Sequence, residues 1–430
     1  MGACARRIAS VTSLADTSSI GERRAEPAAW RMPSPHAHRT HIKPLEPPPY
    51  RWAVLAAGTF STASISALVI GLPVLVPTLR DEYALSLGEI GVLLASAWVG
   101  TTLALLPWGL AADRFGERIV LTVGLTASAA FIAGAALAES FGALLASLAL
   151  AGAAGASVNS SSGRAVMHWF DERERGLALG VRQTAIPIGG FVGALALPPI
   201  AESGGSEAAF LFLAALCVAG ALVGGLVLRE RKHEEELEVD SLLSTLRDRE
   251  LWRLSLGSGL YLYAQLAVLG FAVVFLHDEH GLSETRAALA VAASQVLAMG
   301  LRIGVGRWSD VVGSRVGPLL RVGVAISSVV GVVAVLASGP VWLLVPAIAV
   351  AGGLSMAWNG LSFTAAAELA GRVRSGAAIG LQQTVLGGAG IVSPVLFAAL
   401  VSATSWHAAF AVAAVVPLAG VWTLLPLRRD

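Results

Sequence analysis

A chain of 430 residues that is 55% hydrophobic and 14% charged, with a mean hydropathy of +0.71, has too few charges for an ordinary soluble domain, which carries about 25%. Its 30 basic and 29 acidic residues leave a net charge of +1, which points to no partner class, nucleic acid included. Two cysteines, Cys4 and Cys217, exclude a disulfide framework and a thiolate metal site.

Residues 1–50 are polar, Pro-rich ("PLEPPPY") and basic, so they are predicted to form a disordered tail. The "HAHRTH" tract, His36 to His41, reads as part of that solvated tail rather than as a metal site. Twelve apolar stretches follow, near 52–78, 88–111, 119–138, 141–167, 176–200, 208–228, 251–276, 286–306, 316–337, 341–366, 376–401 and 407–426. Each is about the 20 residues that a helix needs to cross a bilayer. The expected fold is an all-α membrane protein of twelve transmembrane helices. They divide into a bundle of six over 51–228 and another over 251–427. A charged linker, 229–250, joins the bundles as a surface helix, and 428–430 form a short tail. Alternate loops carry Arg114, Arg118, Arg173, Arg175, the run from Arg229 to Arg253, Arg307, Arg315, Arg372, Arg374, Arg428 and Arg429. The opposite loops carry Arg80 and Arg286. This bias places both termini in the cytoplasm and the chain in the inner, cytoplasmic membrane.

The two halves repeat one plan. "GLAADRFGER" (Gly109 to Arg118) aligns with "GRWSDVVGSR" (Gly306 to Arg315), pairing Gly109, Asp113, Gly116 and Arg118 with Gly306, Asp310, Gly313 and Arg315. The offset is 310 − 113 = 197. It becomes 200 where "GLALGVRQTAIPIGG" (Gly176 to Gly190) meets "GAAIGLQQTVLGGAG" (Gly376 to Gly390), and Asn159 falls on Asn359. The G-x-x-x-D-R-x-G-x-R phrase between the second and third spans resembles the signature loop of the major facilitator superfamily. The second copy, with Val311 in place of the arginine, stands where that family carries it. The resemblance covers about residues 50–428. It implies two six-helix bundles related by a pseudo-two-fold axis, alternating access, and a cavity faced by the first, fourth, seventh and tenth spans. It also implies a conformational latch made by Gly109, Asp113, Arg114, Gly116 and Arg118 with Gly306, Asp310, Gly313 and Arg315. In the outward-open state Asp113 would face the start of the eleventh span near Ser375–Gly376. Asp310 would face the start of the fifth near Arg175–Gly176.

Polar groups inside spans are costly and mark function. No Asp or Glu lies in the middle of a span, which argues against a cationic substrate. Arg164, Arg182 and Arg302 lie toward the inner ends without acids at their depth, and arginine binds carboxylates through paired donors. Each has a second reading: Arg164 and Arg182 snorkelling to the interface, Arg302 capping the motif loop. Arg182 stands out because it adjoins Gln183 and Thr184. Asn159, Tyr261, Tyr263, Gln265, Gln295, Asn359, Gln382 and Gln383 complete the candidate substrate site. Serines and threonines of the first span, Ser61, Thr62 and Ser64, either line it or bond back to their own helix. The glycines of "PIGGFVG" and "GGAG" are expected to let the halves approach closely.

No nucleophile set, P-loop, dinucleotide loop or metal cluster appears, so neither an enzyme nor a cofactor is expected. The expected activity is secondary transport of a small organic anion, a carboxylate, by a monomer in the lipid bilayer, with a proton or exchanged anion as coupling ion. Efflux of apolar or uncharged compounds is the alternative. A ligand sensor that does not transport is a remoter one.

Overall fold

The computed structural model describes residues 49–170, 172–229 and 244–428. The predicted tail and most of the predicted linker lie outside them. Among the described residues there is helix and no strand. Eleven helices are long and apolar enough to cross a membrane. One of these, Leu177–Val227, is 51 residues long and holds two crossings. Its helical backbone breaks at Gly204 (φ −141°, ψ 18°) and Gly205 (φ 68°, ψ −174°), so 177–203 and 206–227 are separate spans and the crossings number twelve.

We number the spans in chain order. Span 1 is Tyr50–Tyr83, span 2 Leu87–Phe115, span 3 Glu117–Ala136 and span 4 Phe141–Val166. Spans 5 and 6 are the two halves of the broken helix. Span 7 is Arg249–His280, span 8 Glu284–Val312, span 9 Val316–Val335, span 10 Val341–Gly371, span 11 Arg374–Ala403 and span 12 Trp406–Leu427. Local chemistry sets the ends. Ser86 and Glu89 form a reciprocal cap at the start of span 2. The Ser283 and Ser405 side chains cap spans 8 and 12, and Gly281 and Gly313 end spans 7 and 8 with φ of +65° and +67°.

Three spans are interrupted inside the membrane. Span 1 tightens into a 3-10 turn at Leu72–Leu75. Span 5 breaks at Thr184, between helices Glu172–Gln183 and Ala185–Val227. Span 10 breaks at Met356–Ala357, between Val341–Ser355 and Trp358–Ala403. The last two breaks shape the site.

Within each half, small residues let backbones meet, since lipid gives helices little hydrophobic reason to associate. A β-carbon on Gly100 would lie 1.7 Å from the Ala149 carbonyl oxygen, which brings span 2 onto span 4. Gly189 and Gly193 bring span 5 onto span 1 in the same way.

Among the described residues the halves meet chiefly at one end. At the face opposite the Arg-rich loops, Thr78 donates to Glu284 at 2.8 Å, Thr285 donates to Glu202 at 2.6 Å, and Arg80 pairs with Asp278. Deeper, Gly91 packs on Pro394, Val395 and Ala398, Gly390 on the Trp98 ring, Gly387 on Thr102, and Gly190 on Gln295. Toward the Arg-rich loops the corresponding glycines, Gly109, Gly180, Gly300, Gly304, Gly376 and Gly380, have no neighbour within 4 Å of a β-carbon. The space between the halves therefore opens toward the Arg-rich face.

The two motif loops follow from that state. Asp113 pairs with Arg164 of its own half, and Arg118 donates to the Gly225 carbonyl at 2.5 Å. The Arg114 guanidinium lies over the Phe115 ring, and Gly116 turns the chain at φ +84°. Arg315 joins Asp310 at 2.5 Å and Glu368 at 3.0 Å, again within one half. Both motif-loop acids are thus paired within their own halves, and Gly109 and Gly306 face open space. The expected partner of Asp310, Arg175–Gly176, falls on side chains outside the described ones.

Candidate functional site

A cavity lies between the halves at the depth of the two helix breaks. Span 1 contributes Ile65, Ser66, Val69 and Ile70. Span 2 contributes Trp98, Thr101, Thr102 and Leu105, one helical face at spacings of three and four. Asn159 comes from span 4, Gln183 and Ile186 from span 5, and Leu262 and Gln265 from span 7. Arg302 comes from span 8, Trp358, Asn359 and Phe363 from span 10, and Gln383, Leu386 and Gly387 from span 11. Among the described residues no Asp or Glu lines it.

Six of the twelve sequence candidates are brought together here: Asn159, Gln183, Gln265, Arg302, Asn359 and Gln383. The Asn359 amide donates to Gln265 Oε1 at 3.2 Å and to the Met356 carbonyl at 3.2 Å, which fixes both amides against the span 10 break. Arg302 Nε donates to the same Met356 carbonyl at 3.0 Å, and its Nη1 donates to the Gln183 carbonyl of the other half at 2.6 Å. Its Nη2 is buried without a partner, as is the Trp358 indole N–H. Those are the buried polar atoms without partners among the lining residues, and both are donors.

The other six candidates do not reach the cavity. Arg164 is drawn to Asp113, with Glu117 at 4.0 Å, at the inner edge of the N-terminal half. Arg182 is buried between spans 4 and 5, where Nη1 donates to Ser162 Oγ at 3.0 Å. Gln382 stands at the repeat-equivalent position and donates to Ser362 at 2.5 Å. The two serines are themselves equivalent (162 + 200 = 362), and each meets a hydroxyl of the first span of its half, Thr62 at 3.3 Å and Ser258 at 2.5 Å. Arg182 is thus one member of a repeated structural triad, set apart by its charge. Gln295 is buried where Gly190 crosses span 8, its amide atoms without partners. Tyr261 fills the gaps left by Gly323 and Gly420 and donates to the Leu319 carbonyl at 3.3 Å. Tyr263 is half-buried against the hydrophobic core. Thr62 and Ser64 bond back to their own helix, and Ser61 reaches the Gly220 carbonyl of span 6.

Sequence reasoning missed the span 2 face. Trp98 and Leu105 lie in an apolar run and carry no polar signal, and the cavity is faced by spans 2, 5, 8 and 11 as well as by 1, 4, 7 and 10. The face spacing from Trp98 to Leu105 was the available clue.

Twelve crossings in two repeated halves around a cavity open at one end are the architecture of a membrane transporter. The Major Facilitator Superfamily model matches residues 54–394, and the chain belongs to that superfamily of transporters. It is 35% identical, over 88% of its length and 85% of the relative's, to an uncharacterized MFS-type transporter of Mycobacterium tuberculosis. It is 24% identical, over 43% of each chain, to a hexuronate transporter of Bacillus subtilis. Its fold matches a bacterial homolog of the human lysosomal transporter Spinster in its inward-facing, unoccupied conformation, with a TM-score of 0.69 and 18% identity over 88% of this chain and 95% of that one.

Proposed function

We propose that the protein carries a small organic anion, a carboxylate bearing hydroxyl groups, through this cavity. The observation that carries the reading is the pair of buried donors without partners, Arg302 Nη2 and Trp358 Nε1, in a cavity with no carboxylate of its own among the described residues. A buried donor left unpaired costs about 1–3 kcal/mol, which a ligand supplying oxygen acceptors recovers. The amides of Asn159, Gln265, Asn359 and Gln383 suit hydroxyls, and Trp98 and Phe363 suit the apolar face of a sugar-like ring. The partial likeness to a hexuronate transporter, whose named substrate is a sugar acid, agrees with this chemistry. The arginine-rich loops at the open end support a cytoplasmic position for that end, both termini and the motif loops, and the bacterial relatives support an inner-membrane location. In this reading the domain plan is a tail to residue 50, bundles over 51–228 and 251–427 and a linker over 229–250. The motif loops latch the halves when the inner end closes.

The test is thermal stabilisation of purified protein by a panel of sugar acids, simple carboxylates, sugars, amines and hydrophobic cations. A ligand of the folded state raises the melting temperature by mass action. Sugar acids are expected to stabilise, and Arg302→Met to abolish the shift, while Arg182→Gln retains it. Stabilisation by amines or apolar compounds alone would replace the anion reading with efflux of uncharged or cationic compounds.

A further inference from the structure

Arg302 is held in an unusual way for a cation with no acid beside it. Its two anchors are backbone carbonyls, each at the end of a helical segment that stops inside the membrane. One is Met356, just past the helix Val341–Ser355. The other is Gln183, the last residue of the helix Glu172–Gln183. Segment ends of this kind carry partial negative charge, about half an elementary charge each, so the guanidinium is compensated by dipoles and keeps Nη2 free.

The Gln183 carbonyl is available for a reason written in the chain. A helical carbonyl accepts from the N–H four residues on, and four residues after Gln183 stands Pro187, which has no N–H. The next carbonyl, Thr184, receives Ile188 N–H in the ordinary way at 3.0 Å. One acceptor is therefore left without its helical donor, and Arg302 Nη1 crosses from the other half to take it at 2.6 Å. It is the bond nearest the open end among those joining described residues of opposite halves. The repeat shows that the device is built once. The position equivalent to Arg302 is Leu105 (302 − 197 = 105), and the position equivalent to Pro187 is Gly387 (187 + 200 = 387). The C-terminal half thus keeps the amide position, Gln383, without the proline and without an arginine to meet it.

We infer that Pro187 is a positioning residue for Arg302: by withholding a backbone N–H it presents the Gln183 carbonyl as an anchor, which ties the two halves at the cavity and turns one guanidinium edge toward the ligand. The tie itself does not depend on what the ligand is. Its effect on binding rests on the anion reading above.

The experiment is a double-mutant cycle on the full-length protein, with Pro187→Ala and Arg302→Met singly and together, read first as melting temperature without ligand. Alanine restores the N–H and closes the ordinary helix bond. In the Arg302→Met background the restored bond outweighs the unfolded-chain freedom that alanine adds, so Pro187→Ala raises the melting temperature. With Arg302 present the same change removes the guanidinium's anchor, so the gain shrinks or reverses. Equal shifts in both backgrounds would overturn the inference, because a proline acting only as a kink is indifferent to residue 302. The second readout is affinity for the best carboxylate of the panel. Pro187→Ala is expected to weaken it about tenfold through loss of preorganisation. Pro198→Ala, which restores an N–H near the far end of the same span, leaves it unchanged. Unaltered or tighter carboxylate binding in Pro187→Ala would overturn the positioning role. Carboxylate binding that survives Arg302→Met would overturn the anion reading, while the ligand-free cycle still decides the tie.

Discussion

Single residues here do their work by size and by unpaired chemistry more than by charge. Tyr261 is wholly buried because two glycines make room for it; a β-carbon on Gly323 would lie 2.1 Å from its hydroxyl oxygen. Gly323→Ala should therefore cost about 1–3 kcal/mol of stability by overpacking, seen as a lower melting temperature in detergent. Tyr261→Phe gives up one long hydrogen bond and should cost about 0.5–1.5 kcal/mol. Neither change should alter ligand affinity, since Tyr261 does not line the cavity. Asp113 behaves differently. Its pairing with Arg164 is partly exposed, with side-chain accessibilities of 38% and 36%. Such pairs contribute about 0–1 kcal/mol. Asp113→Asn should leave the melting temperature nearly unchanged. If the loop latches the halves when the inner end closes, flux of labelled substrate should still fall, whereas wild-type flux in that variant would reduce the loop to a topological role.

At the scale of elements, the decisive features are where helices stop. The turn between spans 5 and 6 needs Gly205 at φ 68°, ψ −174°, a region open in practice to glycine alone. The following Ser206 N–H is bonded to Glu82 Oε1 at 3.0 Å, which ties the turn to span 1. Gly205→Asn should cost about 1–3 kcal/mol. Gly281 ends span 7 at φ 65°, ψ 24°, with no neighbour within 4 Å of a β-carbon. Asparagine is the common substitute in that conformation, so Gly281→Asn should change the melting temperature far less. Comparing the two variants separates backbone strain from loss of a small residue.

For the two halves together, the contact at the closed end sets which way the cavity faces. Gly390 lies so near Trp98 that a β-carbon would fall 2.4 Å from the indole ring. Gly390→Leu should exclude this closed arrangement and favour the opposite state, provided the protein folds, which its melting transition reports. A cysteine at Gly376, exposed at the open end, measures the result. A membrane-impermeant maleimide applied from the Arg-rich face should label Gly376→Cys readily. Labelling should slow in the Gly376→Cys/Gly390→Leu double variant, and flux should be lost. Unchanged labelling would mean that the Gly390 contact does not hold the halves in this state.

The class of protein, its twelve crossings, its twofold repeat and the position of its motif loops were all legible in the amino-acid order. They depend on hydropathy over about 20 residues and on short local phrases, and both are properties of the chain alone. The helix that holds two crossings could be divided from sequence because the polar segment Glu202–Glu207 separates the apolar stretches 176–200 and 208–228. Half of the sequence candidates line the cavity, and they were legible for a related reason: amides and arginines inside lipid stand out wherever they point. Which of them share a cavity was decided by tertiary structure. Arg182 and Gln183 are adjacent, yet about 100° of helical rotation sends one into a buried triad and the other to the cavity. Trp98 became visible as a lining residue only when span 2 faced span 11. The role of Arg302 depends on a carbonyl 119 residues away, freed by a proline whose missing N–H has meaning only once the two halves are packed together.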